Sequence, residues 1–114
     1  ARSKLKGCPI VIESIQKFLS EKGANILYDE IESATEFCDD YIGDGYSQSN
    51  EKILKTVNEV LFDYGIALDP TYTGKAYTGM VDYFEKNNIK GKNVLFVHTG
   101  GTPLFFDYLR KANK

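Results

Sequence analysis

The sequence predicts an α/β fold, a three-layer segment in which parallel strands are covered by helices. Stretches with helical spacing of apolar residues alternate with short apolar segments, which is typical of this class. Residues 94–97, VLFV, are apolar at every position, as a parallel strand covered on both faces requires. The chain has 114 residues and 42% of them are hydrophobic, so residues 1–114 are expected to form one domain with a real core.

The N-terminal residues predict one amphipathic helix over residues 9–22. Pro9 suits the first turn of such a helix, because its missing N–H is not needed there. Gly23 stands where a glycine often ends a helix. The next apolar residues, 25–28, fit either a short strand or an irregular connection.

The middle of the chain predicts a strand, a loop and a second helix. Residues 36–42 alternate as a strand does, and residues 43–47 are rich in residues that tolerate positive φ. Ser49 offers an N-cap for a helix whose apolar residues recur at helical spacing up to Gly65.

The C-terminal part predicts two further helices around the strand at residues 94–97. Asp69-Pro70 breaks regular structure, and a helix follows over residues 73–87. Its inner stripe is expected to be Ala76, Tyr77, Met80, Val81 and Phe84. A last helix, with Leu104, Phe105, Tyr108 and Leu109, follows residues 98–101.

Two convincing strands are too few for a sheet that covers four helices. We therefore expect the chain to be part of a larger domain, or a piece that pairs with another copy.

Charge and composition exclude several function classes. The net charge is −2 and no dense basic block occurs, which argues against a nucleic-acid or anionic-membrane surface. The apolar runs are too short to span a bilayer, and a cytoplasmic location is expected. Two cysteines without CxxC spacing and one histidine predict neither a disulfide scaffold nor a metal site.

The strongest candidate for chemistry is the turn HTGG at residues 98–101, which joins a predicted strand to a helix. Ligands bind at such carboxyl ends in open α/β sheets, where Thr99 would present its hydroxyl and Gly100 would allow close approach. A tight structural turn without a ligand is an equal alternative. His98 itself is expected to be structural.

The segment from Asp69 to Lys75 offers a tyrosine, two threonines and a lysine at a helix entrance. A tyrosine at a helix entrance, such as Tyr72, is more often a core or capping residue than a catalytic one, and Lys75 is expected to be solvated. Asp39 and Asp40 would point to opposite faces of a strand, so they predict no carboxylate pair.

Three loops together resemble a known family. LDPTYTGKA at residues 68–76 and VLFVHTGGTP at residues 94–103 are similar to segments of the D-cysteine desulfhydrase and 1-aminocyclopropane-1-carboxylate deaminase family. Gly45-Tyr46 lies where that family has a Gly-Tyr-Gly loop. The resemblance extends from about residue 10 to the end of the chain.

The resemblance implies a pyridoxal-phosphate enzyme of the tryptophan synthase β-subunit fold type. The chain looks like the C-terminal third of such an enzyme, without its Schiff-base lysine and phosphate loop, so no catalysis is expected from it alone. Lys75 belongs to the YTGK motif and is not that lysine. A homodimer and a small amino-acid substrate are also implied for the complete enzyme.

By the same resemblance, particular residues face the cofactor ring and the substrate. Thr99 matches the residue whose hydroxyl bonds the pyridine nitrogen, with Gly100 beside it. Tyr72 matches a tyrosine near ring and substrate, and Tyr46 a second active-site tyrosine. Ser47 and Leu104 replace glycines of the family pattern, which affects the local loop shapes.

The resemblance also indicates the reaction. Deaminases tend to carry a glutamate where this chain has Thr73, so Thr73 and Thr99 favour D-cysteine desulfhydrase, which forms pyruvate, sulfide and ammonia. The alternatives are 1-aminocyclopropane-1-carboxylate deaminase, a non-catalytic binding module, and a generic phosphate-binding α/β domain.

Overall fold

The structure is a computed structural model that describes residues 3–41 and 50–112. These residues form five helices, which lie in two compact units, Ala1–Asp39 and Asp40–Lys114. No helix in the described ranges is long and apolar enough to cross a bilayer.

The α/β prediction is wrong for the part of the chain that the structure describes, because those residues form no strand. A strand exists only where its backbone pairs with a neighbouring strand, and residues 94–97 have no such neighbour here. Instead of being covered on both faces, Val94, Leu95 and Val97 are exposed, with Leu95 at 87%, and only Phe96 packs against the core. Of the other expected strand, residues 36–39 are irregular, residues 40–41 form a turn, and Ile42 lies outside the described residues.

The first unit contains α1 (Lys4–Glu21) and α2 (Tyr28–Ser33). The first helix begins at Lys4 rather than at residue 9, so Pro9 lies inside it and not in its first turn. The predicted end is confirmed by Gly23, which adopts φ 83°. The second helix replaces the expected connection at Tyr28. It is stabilised by Glu30, whose carboxylate accepts a hydrogen bond from the Leu27 N–H at 2.9 Å.

The second unit contains α3 (Glu51–Tyr64), α4 (Thr73–Lys86) and α5 (Thr102–Ala112). The predicted limits of α3 and α4 are confirmed, except that Asn50 caps α3 through a bond from Ile53 N–H at 3.0 Å. The expected cap, Ser49, lies outside the described residues. The core of this unit consists of Ile53, Val57, Val60 and Leu68, with Tyr77, Phe96 and Tyr108 packed against it.

The fully buried face of α4 is mostly small and polar, and of the apolar stripe predicted for it Tyr77, Met80, Val81 and Phe84 are half-buried. Its buried residues are Thr73, Gly74, Lys75, Thr78 and Gly79, whereas Ala76 is exposed. Gly74 explains the arrangement, because a Cβ there would lie 2.7 Å from Val57 Cγ2 of α3. The branched side chains of α3 therefore occupy the space beside Gly74, and a larger residue at this position would not fit.

Candidate functional site

Asp69 organises the segment of residues 68–75, which we call the capped loop. Its carboxylate is fully buried and accepts bonds from the backbone N–H groups of Thr71, Tyr72 and Thr73, at 2.8, 2.7 and 2.9 Å. Thr73 is the first residue of α4, whose N–H has no partner inside the helix, and Thr71 and Tyr72 lie just before it. Asp69 therefore fixes the backbone of Tyr72 directly.

The Thr73 hydroxyl completes this arrangement. It donates to Asp69 Oδ2 at 2.6 Å and accepts from the Asp69 N–H at 2.9 Å, and Thr73 is itself buried. Both hydrogen-bonding capacities of the hydroxyl are thus used within the loop. Thr73 is a structural residue here and has no hydroxyl proton left for a ligand.

The hydrogen bonds determine the charge of Asp69. Burial opposes ionisation, but the bonds from Thr73, Tyr72 and Thr71 outweigh it, so the pKa of Asp69 lies below its ordinary value. The carboxylate is therefore charged at neutral pH, close to the N-terminus of α4, where a negative charge is favourable.

Gly74 and Lys75 are also held by packing. A Cβ on Gly74 would lie 2.7 Å from the Asp69 carbonyl oxygen, which accepts the Gly74 N–H at the same distance. Lys75 is only 8% exposed, so the expectation of a solvated lysine is wrong. It is buried because the helix face that carries it packs inside the second unit.

Residues 98–101 form the glycine turn. Gly100 and Gly101 have φ values of 108° and 93°, which side-chain-bearing residues rarely adopt. The His98 ring bonds to two backbone groups, the Ala67 carbonyl oxygen at 3.0 Å and the Gly100 N–H at 3.2 Å. The turn therefore needs two glycines and a side-chain support to keep its shape.

The glycine turn packs directly on the capped loop. A Cβ on Gly101 would collide with Asp69 Oδ2 and would lie 2.7 Å from its Cγ, so only glycine fits. His98 adds the second link, through Ala67. The structure thus brings together the two motifs that stand about 30 residues apart in the sequence.

Tyr72 and Thr99 are the hydroxyl-bearing residues of these segments that the packing leaves on the surface. The Tyr72 side chain is 49% exposed. Thr99 is exposed, and its hydroxyl forms no hydrogen bond with any residue in the described ranges. A Cβ on Gly100 would meet nothing within 4 Å, so the turn is open beside Thr99.

Tyr46, the other candidate, lies outside the described residues. The sequence interpretation missed Asp69 and the steric role of Gly101. An aspartate before a proline at a turn often accepts the backbone N–H two residues on, and this local pattern could have indicated Asp69. No sequence signal could have paired Gly101 with it.

A groove of about 400 Å³ between α3 and α4 is a separate concave feature. Asp82 lies in it and accepts bonds from Lys52 and from the Tyr41 hydroxyl, and the bond from Lys52 is the first cause of its lowered pKa. Lys52 and Asp82 are paired with each other, and we assign the groove no chemistry.

The motif resemblance is confirmed by similarity to curated proteins. D-cysteine desulfhydrase of Klebsiella pneumoniae (strain 342) is 38% identical over 91 residues, which are 79% of this chain and 28% of that protein. The putative 1-aminocyclopropane-1-carboxylate deaminase of Thermotoga maritima is 44% identical over 70 residues, 61% of this chain and 22% of that protein. The chain thus spans less than a third of the length of these relatives. No protein-family model matches it.

Proposed function

We propose that this chain, a homologue of D-cysteine desulfhydrase and 1-aminocyclopropane-1-carboxylate deaminase enzymes, forms the part of a lyase site that meets a pyridoxal-phosphate ring. One observation supports this most strongly. Of the hydroxyl-bearing residues in the capped loop and the glycine turn, Tyr72 and Thr99 are those that the packing leaves exposed, while Thr71 and Thr73 are buried.

The residues fit a flat pyridine ring. The Thr99 hydroxyl forms no bond with the described residues, and the open side of Gly100 leaves room for a ring to approach. Pyridoxal phosphate, when bound, stabilises negative charge at the substrate Cα by delocalising it. We do not assign Lys75 to cofactor attachment, because it is held on the buried face of α4.

Thr99 would hold the ring nitrogen by one hydrogen bond. A hydroxyl can donate or accept, but unlike a carboxylate it cannot keep the nitrogen protonated by its charge. Such a weak partner suits β-elimination, in which a thiolate leaves Cβ and removes the negative charge from Cα quickly.

Tyr72 would orient or transfer a proton near the substrate. Its backbone N–H is anchored by Asp69, while its ring is half exposed. With this backbone anchored and the ring half exposed, Tyr72 would present its phenol to a bound substrate, within the hydrogen-bond reach that general acid–base catalysis requires.

The substrate that we propose is D-cysteine. The reaction converts D-cysteine and water into pyruvate, hydrogen sulfide and ammonia. Thr73 supports this choice over the deaminase reaction. Its hydroxyl bonds the Asp69 carboxylate, whereas a glutamate at position 73 would place a second carboxylate beside Asp69. The 44% identity with the Thermotoga protein keeps 1-aminocyclopropane-1-carboxylate as the second substrate to test.

The test compares Thr99→Val with Thr99→Ser in the whole protein to which this chain belongs. Valine removes the hydroxyl and keeps the shape, whereas serine keeps the hydroxyl. We expect Thr99→Val to weaken pyridoxal-phosphate binding about tenfold or more, since an unpaired buried polar atom costs about 1–3 kcal/mol. Thr99→Ser should restore most of the affinity, and equal affinities in the two variants would contradict the role of Thr99.

Turnover is measured with both substrates, as sulfide from D-cysteine and as 2-oxobutanoate from 1-aminocyclopropane-1-carboxylate. Tyr72→Phe should lower turnover about 10²–10⁴-fold with cofactor affinity unchanged. Tyr64→Phe, which changes another exposed tyrosine, is the control. Release of 2-oxobutanoate without sulfide would favour the deaminase reaction instead.

A further inference from the structure

His98 forms hydrogen bonds through both ring nitrogens, although it lies on the surface. Nε2 is 3.0 Å from the Ala67 carbonyl oxygen, which can only accept, so Nε2 must carry the proton. Nδ1 is 3.2 Å from the Gly100 nitrogen and accepts its N–H. The pattern of partners therefore assigns one protonation state, a neutral ring with its proton on Nε2.

The two bonds fix the backbone on both sides of Thr99. His98 precedes Thr99 and is tied to Ala67, the residue before the buried Leu68. Gly100 follows Thr99 and is tied to the His98 ring. Gly101 then packs on the Asp69 carboxylate. Thr99 is thus the exposed residue in the middle of a turn whose neighbours are all held.

We propose that His98 is a positioning residue, whose neutral Nε2–H ring holds the glycine turn on the capped loop and thereby sets the direction of the Thr99 hydroxyl. For its effect on the cofactor this inference rests on the proposed function. The hydrogen-bonding role itself can be tested without any cofactor.

No other side chain reproduces both bonds. An asparagine oxygen can replace Nδ1 as the acceptor for Gly100, and a glutamine amide can replace Nε2 as the donor to Ala67. Each of these substitutions keeps one link and loses the other. Protonation of the ring also loses a link, because a protonated Nδ1 faces the Gly100 N–H as a second donor.

The first measurement reads the protonation state of the ring. His98 is the only histidine among these 114 residues, so a long-range ¹H–¹⁵N correlation spectrum of this chain contains the signals of one imidazole ring. We expect a protonated Nε2 and an unprotonated Nδ1 at neutral pH. A proton on Nδ1, or a doubly protonated ring, would overturn the proposal.

The second measurement is amide hydrogen exchange at Gly100. We expect exchange to be about tenfold faster in His98→Ala and in His98→Gln, both of which lack the Nδ1 acceptor, and to stay near the wild-type rate in His98→Asn. Asn93→Ala, at an exposed position in the preceding segment, is the matched control. Equal exchange rates in His98→Gln and His98→Asn would contradict the assigned roles of the two nitrogens.

The third measurement tests whether His98 acts through Thr99. In the whole protein, His98→Ala should weaken pyridoxal-phosphate binding about five- to tenfold when Thr99 is present. In the Thr99→Val background the same substitution should change the affinity less than twofold, because the contact that it orients is already gone. An equal loss in both backgrounds would refute a positioning role.

These measurements separate the two proposals. If the whole protein binds no pyridoxal phosphate in any form, the proposed function fails, and the spectrum and the exchange rates still decide whether His98 supports the turn. If the cofactor binds and Thr99→Val weakens it, but His98→Ala does not, the positioning role fails alone.

Discussion

The capped loop and the glycine turn contact each other but are stabilised in different ways. In the capped loop, Asp69, Thr71 and Thr73 are buried and bonded to one another. In the glycine turn, His98 and Thr99 are exposed, and the shape depends on two positive-φ glycines and one imidazole. One segment is held by a buried hydrogen-bond network, and the other by glycine backbone conformation and one imidazole at the surface.

This difference separates the structural from the functional content of the motifs. Most of the capped loop is explained by folding, since Asp69 caps α4, Thr73 bonds Asp69 and Gly74 admits Val57. By contrast, Tyr72 and Thr99 are exposed. A motif residue with a structural role is therefore a poor guide to the chemistry, even when it is a hydroxyl or a carboxylate.

The largest expected effect is the loss of Asp69. Asp69→Ala leaves three backbone N–H groups and the Thr73 hydroxyl without their acceptor in a buried site. We expect the free energy of unfolding to fall by about 3 kcal/mol or more, because each buried unpaired group costs about 1–3 kcal/mol. Urea titration measures this, with Asp63→Ala at an exposed position of α3 as the control. A loss no greater than in Asp63→Ala would show that water replaces the carboxylate.

The next effect distinguishes the two glycines of the turn. Gly100→Ala and Gly101→Ala both place a side chain at positive φ, which costs about 1–2 kcal/mol. Only the Gly101 substitution also collides with Asp69. We therefore expect Gly101→Ala to be less stable than Gly100→Ala by about 1–3 kcal/mol in the same titration. Equal stabilities would mean that the contact between the turn and the loop relaxes freely.

One substitution made in both segments gives a direct comparison. Thr73→Val removes a buried hydroxyl with two bonds to Asp69, and we expect a loss of about 1–3 kcal/mol. Thr99→Val removes a hydroxyl that bonds none of the described residues, and we expect a change within about 0.5 kcal/mol. Thermal unfolding of the two variants measures the contrast. A large loss in Thr99→Val would make Thr99 a structural cap.

The smallest effect is a pH dependence of stability that arises from Asp69 in the capped loop. Because the pKa of Asp69 is lower in the folded state, its ionised form adds stability above the ordinary carboxyl pKa, and this contribution is lost as pH falls through the lowered value. Stability measured from neutral to acid pH should therefore fall more in the wild type than in Asp69→Asn. Asp82, whose pKa is also lowered, is present in both proteins, so it contributes equally to the pH dependence of stability in each. Parallel pH profiles would contradict the ionised state of Asp69.

The sequence by itself determined the helices whose signals are local. The apolar spacing of α3, its end at Gly65 and the limits of α4 depend on neighbours within a few residues, so they could be predicted. The motifs at residues 68–76 and 94–103 were likewise sufficient to identify the relatives. The hydroxyls of Tyr72 and Thr99 were found in this way, as candidates.

Tertiary structure decided the features that depend on contacts between residues far apart in the sequence. Lys75 is buried because of the way α4 packs, and Gly101 must be glycine because Asp69, more than 30 residues earlier, lies against it. The predicted strand at residues 94–97 failed for the same reason, since an apolar run becomes a strand only when a partner supplies hydrogen bonds. Local spacing specifies which backbone shape is favourable, and only contacts between distant segments decide which side chains are buried and which stay available for chemistry.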